Sequence, residues 1–221
     1  MPKSGELIFF CGVPGSRWSG IDTHLRIATN GDRTDETEDR IYFHKQADPA
    51  MAQNGHRGAY WGPGMGCGSD WTDLRKLSKG RLYYDISEVF TGNGPKVIKS
   101  HMFARYDNLE YIWETFKGDY IVLVYRDPIK SFNWWKSTMD FDQSWPSYKE
   151  MYTNDLSVMY RRIIMESNYI WQFADKHRMD WQIYKSAQVF ETLPNFDMST
   201  LESHDLYKRH KDVFVSTIKI N

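Results

Sequence analysis

The sequence predicts one α/β domain over residues 1–221, a three-layer α/β/α arrangement with helices on both faces of a central parallel sheet. Three observations carry that expectation. A continuous apolar run at Leu7–Val13 stops at a turn signal, as a strand buried on both faces does. Short apolar runs then alternate with helical stretches, the order that builds parallel sheets. The chain of 221 residues is also long enough to bury a substantial core within the size of one such domain.

The elements follow in order. After the first strand comes a glycine-rich turn, VPGSRWSG at Val13–Gly20, and then a helix over about 21–28. Residues 29–79 are polar, with strong charge from Arg33 to Arg40 and six glycines from Gly55 to Gly68. They are expected to form one short helix within a long excursion. Compact domains seldom carry such a loop without a use, so this is the expected lid or acceptor-binding region. Strands are predicted at Leu82–Tyr84, at Lys96–Ser100 (KVIKS) and at Tyr120–Tyr125 (YIVLVY). Asp127-Pro128 then starts a helix reaching about Thr138, with proline at an early helical position. A long helix over about 147–177 carries apolar side chains at Leu156, Met159, Tyr160, Ile163, Ile164 and Trp171. A short strand, Trp181–Tyr184 (WQIY), precedes a weakly patterned tail.

Composition bounds the partners. The chain has 28 Lys+Arg against 29 Asp+Glu, so it lacks the basic excess of a nucleic-acid binder, and any anion site must be local. Two cysteines, Cys11 and Cys67, make neither a disulfide framework nor a metal cluster. No stretch approaches a membrane span, and the N-terminal apolar run is too short and too early broken for a signal peptide. The reduced cytoplasm is the expected compartment, with no membrane and no metal.

Ligands of parallel α/β sheets bind beyond the carboxyl ends of the strands, so the residues after Val13, Lys99, Tyr125 and Tyr184 should converge. In the turn, glycines let backbone amides point at an anion while the helix behind adds its positive end, a P-loop-like device. It is not a Walker A motif, because Trp18 stands before Ser19 where a lysine is required. Taken alone, it reads equally well as a strand-to-helix turn with no ligand. His101 beside Lys99 offers a base and a cation at a strand end, although a single histidine there is more often structural. Arg126 is a fork-shaped cation suited to a phosphate, or else the partner of a nearby acid.

Together, PGSRWSG, IKSH and VYRDP resemble, in order and spacing, the nucleotide-dependent sulfotransferase family. About a quarter of the chain is involved. The resemblance implies a P-loop NTPase-like fold of the sulfotransferase type and the cofactor 3′-phosphoadenosine 5′-phosphosulfate. It implies that Pro14, Gly15, Ser16, Arg17, Trp18 and Ser19 line the 5′ end of that nucleotide, with Ser19 as a hydroxyl donor. Gly15 stands where the family has Lys or Arg, and Arg17 supplies charge where the family has Gly. Arg126 would hold the 3′-phosphate. The family's helix serine falls at Trp134, with Ser131 one turn earlier and Ser137 one turn later as substitutes. Tyr184 matches an aromatic near the adenine, and Lys208, Arg209 and Lys211 stand in for a C-terminal basic segment.

The implied chemistry is in-line transfer of a sulfonate to a hydroxyl or amine of a small-molecule or glycan acceptor. His101 would act as base and Lys99 as stabiliser of the leaving phosphate. His56, Tyr60, Trp61, Trp71, Trp134 and Trp135 are either stacking surfaces for that acceptor or core, with the core reading slightly ahead. Two rival readings stay open. One is a P-loop phosphotransferase holding magnesium through Asp85 and Asp127 at strand ends. The other is a non-catalytic nucleotide-binding protein of the same fold.

Overall fold

The computed structural model describes residues 5–42, 56–62, 67, 69–137, 155–200 and 211–221. Its centre is strand β1 (Leu7–Gly12), every residue of which is buried. Side chains alternate across it: Leu7, Phe9 and Cys11 enter one apolar cluster, Ile8 and Phe10 the other. The run is apolar throughout because both faces are covered, as the sequence led one to expect.

Strand β2 (Ile41–Tyr42) and strand β3 (His56–Arg57) pair as a separate two-residue ribbon inside the long excursion. Strand β4 (Lys96–Lys99) and strand β5 (Tyr120–Arg126) flank β1 and run parallel to it, Phe9 facing both Ile98 and Ile121. Beyond β5 lie strand β6 (Gln182–Ile183) and strand β7 (Val213–Lys219), in the sheet order β4-β1-β5-β7-β6. Strand β7 is antiparallel to both neighbours, so the sheet is mixed and not wholly parallel as predicted. The tail was expected to be weakly patterned, yet VFVSTIK is rich in β-branched residues and buries Val213 and Val215.

Five α-helices are described. On one face lies helix α1 (Trp18–Ala28), which packs Ile21 and Leu25 against Ile8, Phe10 and Val97. On the other lie α2 (Lys79–Val89), α3 (Asn108–Thr115), α4 (Pro128–Ser137) and α5 (Leu156–Lys176). The strand predicted at Leu82–Tyr84 is part of α2. Ser78 caps that helix by accepting from the Arg81 N–H, and Leu82, Ile86 and Val89 fall on one buried stripe, a helical and not an alternating period. Asp85, offered as a strand-end metal ligand, therefore lies within α2 and accepts from the Trp71 indole N–H at 2.9 Å. Asp127 accepts from the Lys130 N–H at the start of α4. The long helix begins at Leu156, capped by Asp155; the expected part before residue 155 lies outside the described residues.

Parts of the excursion pack into the core. Ala59, Trp61, Trp71 and Leu74 are fully buried, and the Trp61 and Trp71 rings lie 4.3 Å apart. For these two tryptophans the core reading holds. Trp61 N–H also donates to the Lys99 carbonyl at 3.0 Å, which brings the excursion to the end of β4. No helix among the described residues is long and apolar enough to cross a membrane.

Candidate functional site

Between β1 and α1 the chain reverses in residues 13–17, with the Ser16 N–H donating to the Val13 carbonyl at 3.1 Å. Gly15 has φ 79° and Arg17, directly before the helix, has φ 69°. The left-handed residue at Arg17 leaves the N-terminus of α1 with no side-chain cap and no acid in its first turn. Its positive end therefore meets no carboxylate from its own first turn. Beneath it, Ser16 Oγ is buried with no hydrogen-bond partner among the described residues. A buried hydroxyl left in that state is costly unless something supplies an acceptor or a donor. The Arg17 guanidinium lies 4.7 Å from the centre of the Trp134 ring, so Trp134 holds this cation in place.

His101 opens a short 3-10 turn directly after β4 and is almost wholly buried. Its Nδ1–H donates to the Gly12 carbonyl. A carbonyl only accepts, so Nδ1 carries the proton and the neutral ring leaves a lone pair on Nε2. Burial pushes the imidazole pKa down to about 3, the Gly12 hydrogen bond opposing it and the Arg105 charge adding to it. The ring is neutral at any physiological pH. Trp18 tilts against it at 4.0 Å, and Tyr60 from the excursion stands at 5.4 Å. His56 joins this group 5.9 Å from Tyr60 and 6.2 Å from Trp18. The excursion thus covers the histidine, while Trp18, stacked on Phe10 at 5.7 Å, is a core residue as well as a turn residue.

Arg126, the last residue of β5, donates from Nη1 to the Gly15 carbonyl at 3.2 Å and from Nε to Asp212 at 3.0 Å. Lys130 stands 3.7 Å from the same carboxylate. Burial works to raise the Asp212 pKa, but the Arg126 hydrogen bond and the charges of Arg126 and Lys130 outweigh it and hold the carboxylate below its ordinary range. Ser131 is fully buried under the turn, its Oγ donating to the Arg126 carbonyl at 3.4 Å. Ser137 is exposed and donates to the Trp134 carbonyl. Of the two serines, only Ser131 lies at the turn.

Two predicted site residues are placed elsewhere. Lys99 is fully buried on the α1 side, donating to Asp22 and to the Arg57 carbonyl. Arg26 bridges the same Asp22 at 2.8 Å and Asp35 at 2.7 Å, so two cations and two anions form one closed, buried set. Burial lowers the Lys99 pKa against the pull of Asp22. The charge of Lys99 is spent on joining β4, α1 and the excursion. Removing Lys99 leaves the buried set with two anions and one cation, so Lys99→Met is expected to cost about 3 kcal/mol in urea unfolding. Tyr184 is likewise fully buried, its hydroxyl against His24 Nδ1 and its ring 6.0 Å from Phe190, and it presents no face to an adenine. Pro14 lies in the turn as expected, while Ser19 is the second residue of α1. Lys208 and Arg209 lie outside the described residues, while Lys211 is exposed before β7.

Three participants were not foreseen. Asp212 carried no signal, because its role depends on β7 lying beside β5. Arg105, at the end of the His101 turn, pairs with Glu166 on α5. Burial outweighs that pairing and pushes the Glu166 pKa up to about 7. A charged residue at a helix position otherwise facing the core was the available signal, since Ile163, Ile170 and Phe173 share its stripe. No family model, no curated protein and no solved structure matches the chain.

Proposed function

We propose that this protein is a sulfotransferase that moves a sulfonate group from 3′-phosphoadenosine 5′-phosphosulfate to an acceptor hydroxyl or amine, on a P-loop NTPase-like fold of the sulfotransferase type. One observation carries the reading. His101, just past β4, and Arg126, at the end of β5, lie 25 residues apart in sequence, and each hydrogen-bonds a carbonyl of the same four-residue stretch, Gly12 and Gly15. A base, a phosphate-type fork and an uncapped helix N-terminus therefore surround one turn.

In this reading the 5′-phosphosulfate lies at the N-terminus of α1, where amides, the Ser16 hydroxyl and Arg17 meet it. His101 Nε2 accepts the acceptor's proton as its oxygen or nitrogen attacks sulfur. The S–O bond to the nucleotide phosphate breaks, and the electron pair leaves on that phosphate. Arg17 and the turn amides stabilise the charge that builds there. Arg126 takes the 3′-phosphate in exchange for Asp212, and Ser131 supports Arg126 from below. Lys99 acts by holding β4 and α1 together.

The exchange at Arg126 sets a direct test. Asp212→Asn removes a competing anion, so the product nucleotide, 3′-phosphoadenosine 5′-phosphate, should bind roughly tenfold tighter by calorimetry, about 1.4 kcal/mol. The same nucleotide should raise the melting temperature of the natural protein at micromolar concentration while ATP does little. Equal stabilisation by both, strengthened by magnesium, would favour a phosphotransferase instead.

A further inference from the structure

On the α5 side of the sheet, a surface cleft of about 480 Å³ is lined by Tyr125, Asn168, Trp171, Gln172 and Phe214. Trp171 is 44 % exposed, an unusual position for so large an apolar ring. It is nevertheless held rigidly. Trp181 stacks on it with centroids 5.3 Å apart and planes within 11°. Tyr125 meets it edge-on at 5.0 Å and contacts Trp181 at 5.8 Å and Phe214 at 6.4 Å. Trp181 and Tyr125, the latter in contact with Phe214, thus fix the Trp171 indole at the wall of an open cleft.

The lining narrows the ligand. None of the five lining side chains is charged, which disfavours a nucleotide or any other anion here. Asn168 and Gln172 stand one helical turn apart on α5 and are both exposed. Each carboxamide offers both donors and acceptors, the complement of a hydroxyl, which is also both. A fixed aromatic plane beside such amides suits a flat ring with an apolar C–H face and hydroxyl edges. The C–H face meets the electron-rich ring while the amides take the hydroxyls. The volume lies within the range of small-molecule sites and accommodates one or two sugar rings.

We propose that this cleft is a subsite for a neutral carbohydrate, separate from the turn at Gly12–Gly15. Tyr125 and Arg126 are consecutive in β5 and so point to opposite faces of the sheet. The inference does not rest on sulfonate transfer, because binding is measured without nucleotide.

The test titrates the full chain with uncharged oligosaccharides, maltohexaose, cellohexaose and chitotetraose, by tryptophan fluorescence and saturation-transfer NMR. At least one should saturate at millimolar concentration. Trp171→Ala should weaken it by roughly tenfold or more, in line with the loss of one stacking ring, and Gln172→Ala by a few-fold. Both substitutions are exposed, and far-UV circular dichroism checks that each variant folds. Binding of none of the three, or binding unchanged in Trp171→Ala, would overturn the proposal. So would self-association by sedimentation that Trp171→Ala abolishes, since a second copy would then be the occupant. Nucleotide binding at the turn should be untouched by Trp171→Ala, which keeps this test distinct from that of the transferase reading.

Discussion

Replacing His101 by alanine is expected to lower sulfonate transfer by a hundredfold or more, the usual contribution of a positioned general base. Affinity for the product nucleotide should stay within about twofold, because the ring bonds Gly12 and not the anion. His101→Phe fills the same space between Trp18 and Tyr60 without a nitrogen and should be equally slow. Transfer at the natural rate by a folded His101→Phe protein, measured with radiolabelled sulfonate donor, would remove the histidine from the mechanism.

The same histidine sets a pH signature. Its folded pKa of about 3 lies below the ordinary 6.5, so between those values the unfolded chain binds a proton that the folded one refuses. Its contribution to stability is present above pH 6.5 and is lost as pH falls towards 3. Glu166 runs the other way. Its folded pKa of about 7 exceeds the ordinary 4.5, so its contribution is present below 4.5 and is lost as pH rises through 7. Urea unfolding between pH 4 and 8 should therefore show two opposed limbs. Glu166→Gln should flatten the loss above pH 5 and leave the acid limb, while His101→Phe should do the reverse. If the proposed nucleotide binds at the turn, its anionic charge would act to raise the His101 pKa.

Local pattern made much of the fold readable in advance. The central strand, KVIKS and YIVLVY lie where their apolar runs ended, because a strand buried on both faces leaves no polar gap to misread. Leu82–Tyr84 misled because three apolar residues fit a strand, while the Ser78 cap and the stripe through Val89 decide for a helix. Strand β7 shows the opposite failure: its β-branched residues were in view, but its place in the sheet depends on pairing with β5, over 80 residues away in sequence. At the site, the turn, His101 and Arg126 were legible because each sits at a strand end. Lys99 and Tyr184 also sit at strand ends, yet the side chains are enclosed, and a strand end fixes where a residue is, not which way it faces. The partner of Lys99, Asp22, is a buried acid on α1 whose meaning appears only once β4 lies beneath it.

The packing of the turn predicts the largest effect on stability. Gly15→Ala should unfold the turn or the whole domain, because a Cβ there would lie 1.9 Å from the Ser131 carbonyl oxygen and 3.1 Å from Trp135 Cβ. The obstacle is helix backbone, which moves only if α4 moves, and φ 79° adds strain for any L side chain. The expected cost exceeds about 4 kcal/mol, above the range of most single substitutions. Gly80 supplies the control within the same chain. It lies in the first turn of α2, and a Cβ there meets nothing closer than Ser78 Oγ at 4.0 Å, so Gly80→Ala should stabilise by about 0.5 kcal/mol. Thermal unfolding of the two variants separates strain at the turn from the general effect of replacing glycine. If Gly15→Ala unfolded at the natural temperature, the turn would not be pressed onto α4 at Ser131, and the shared framework of His101 and Arg126 would lose its base.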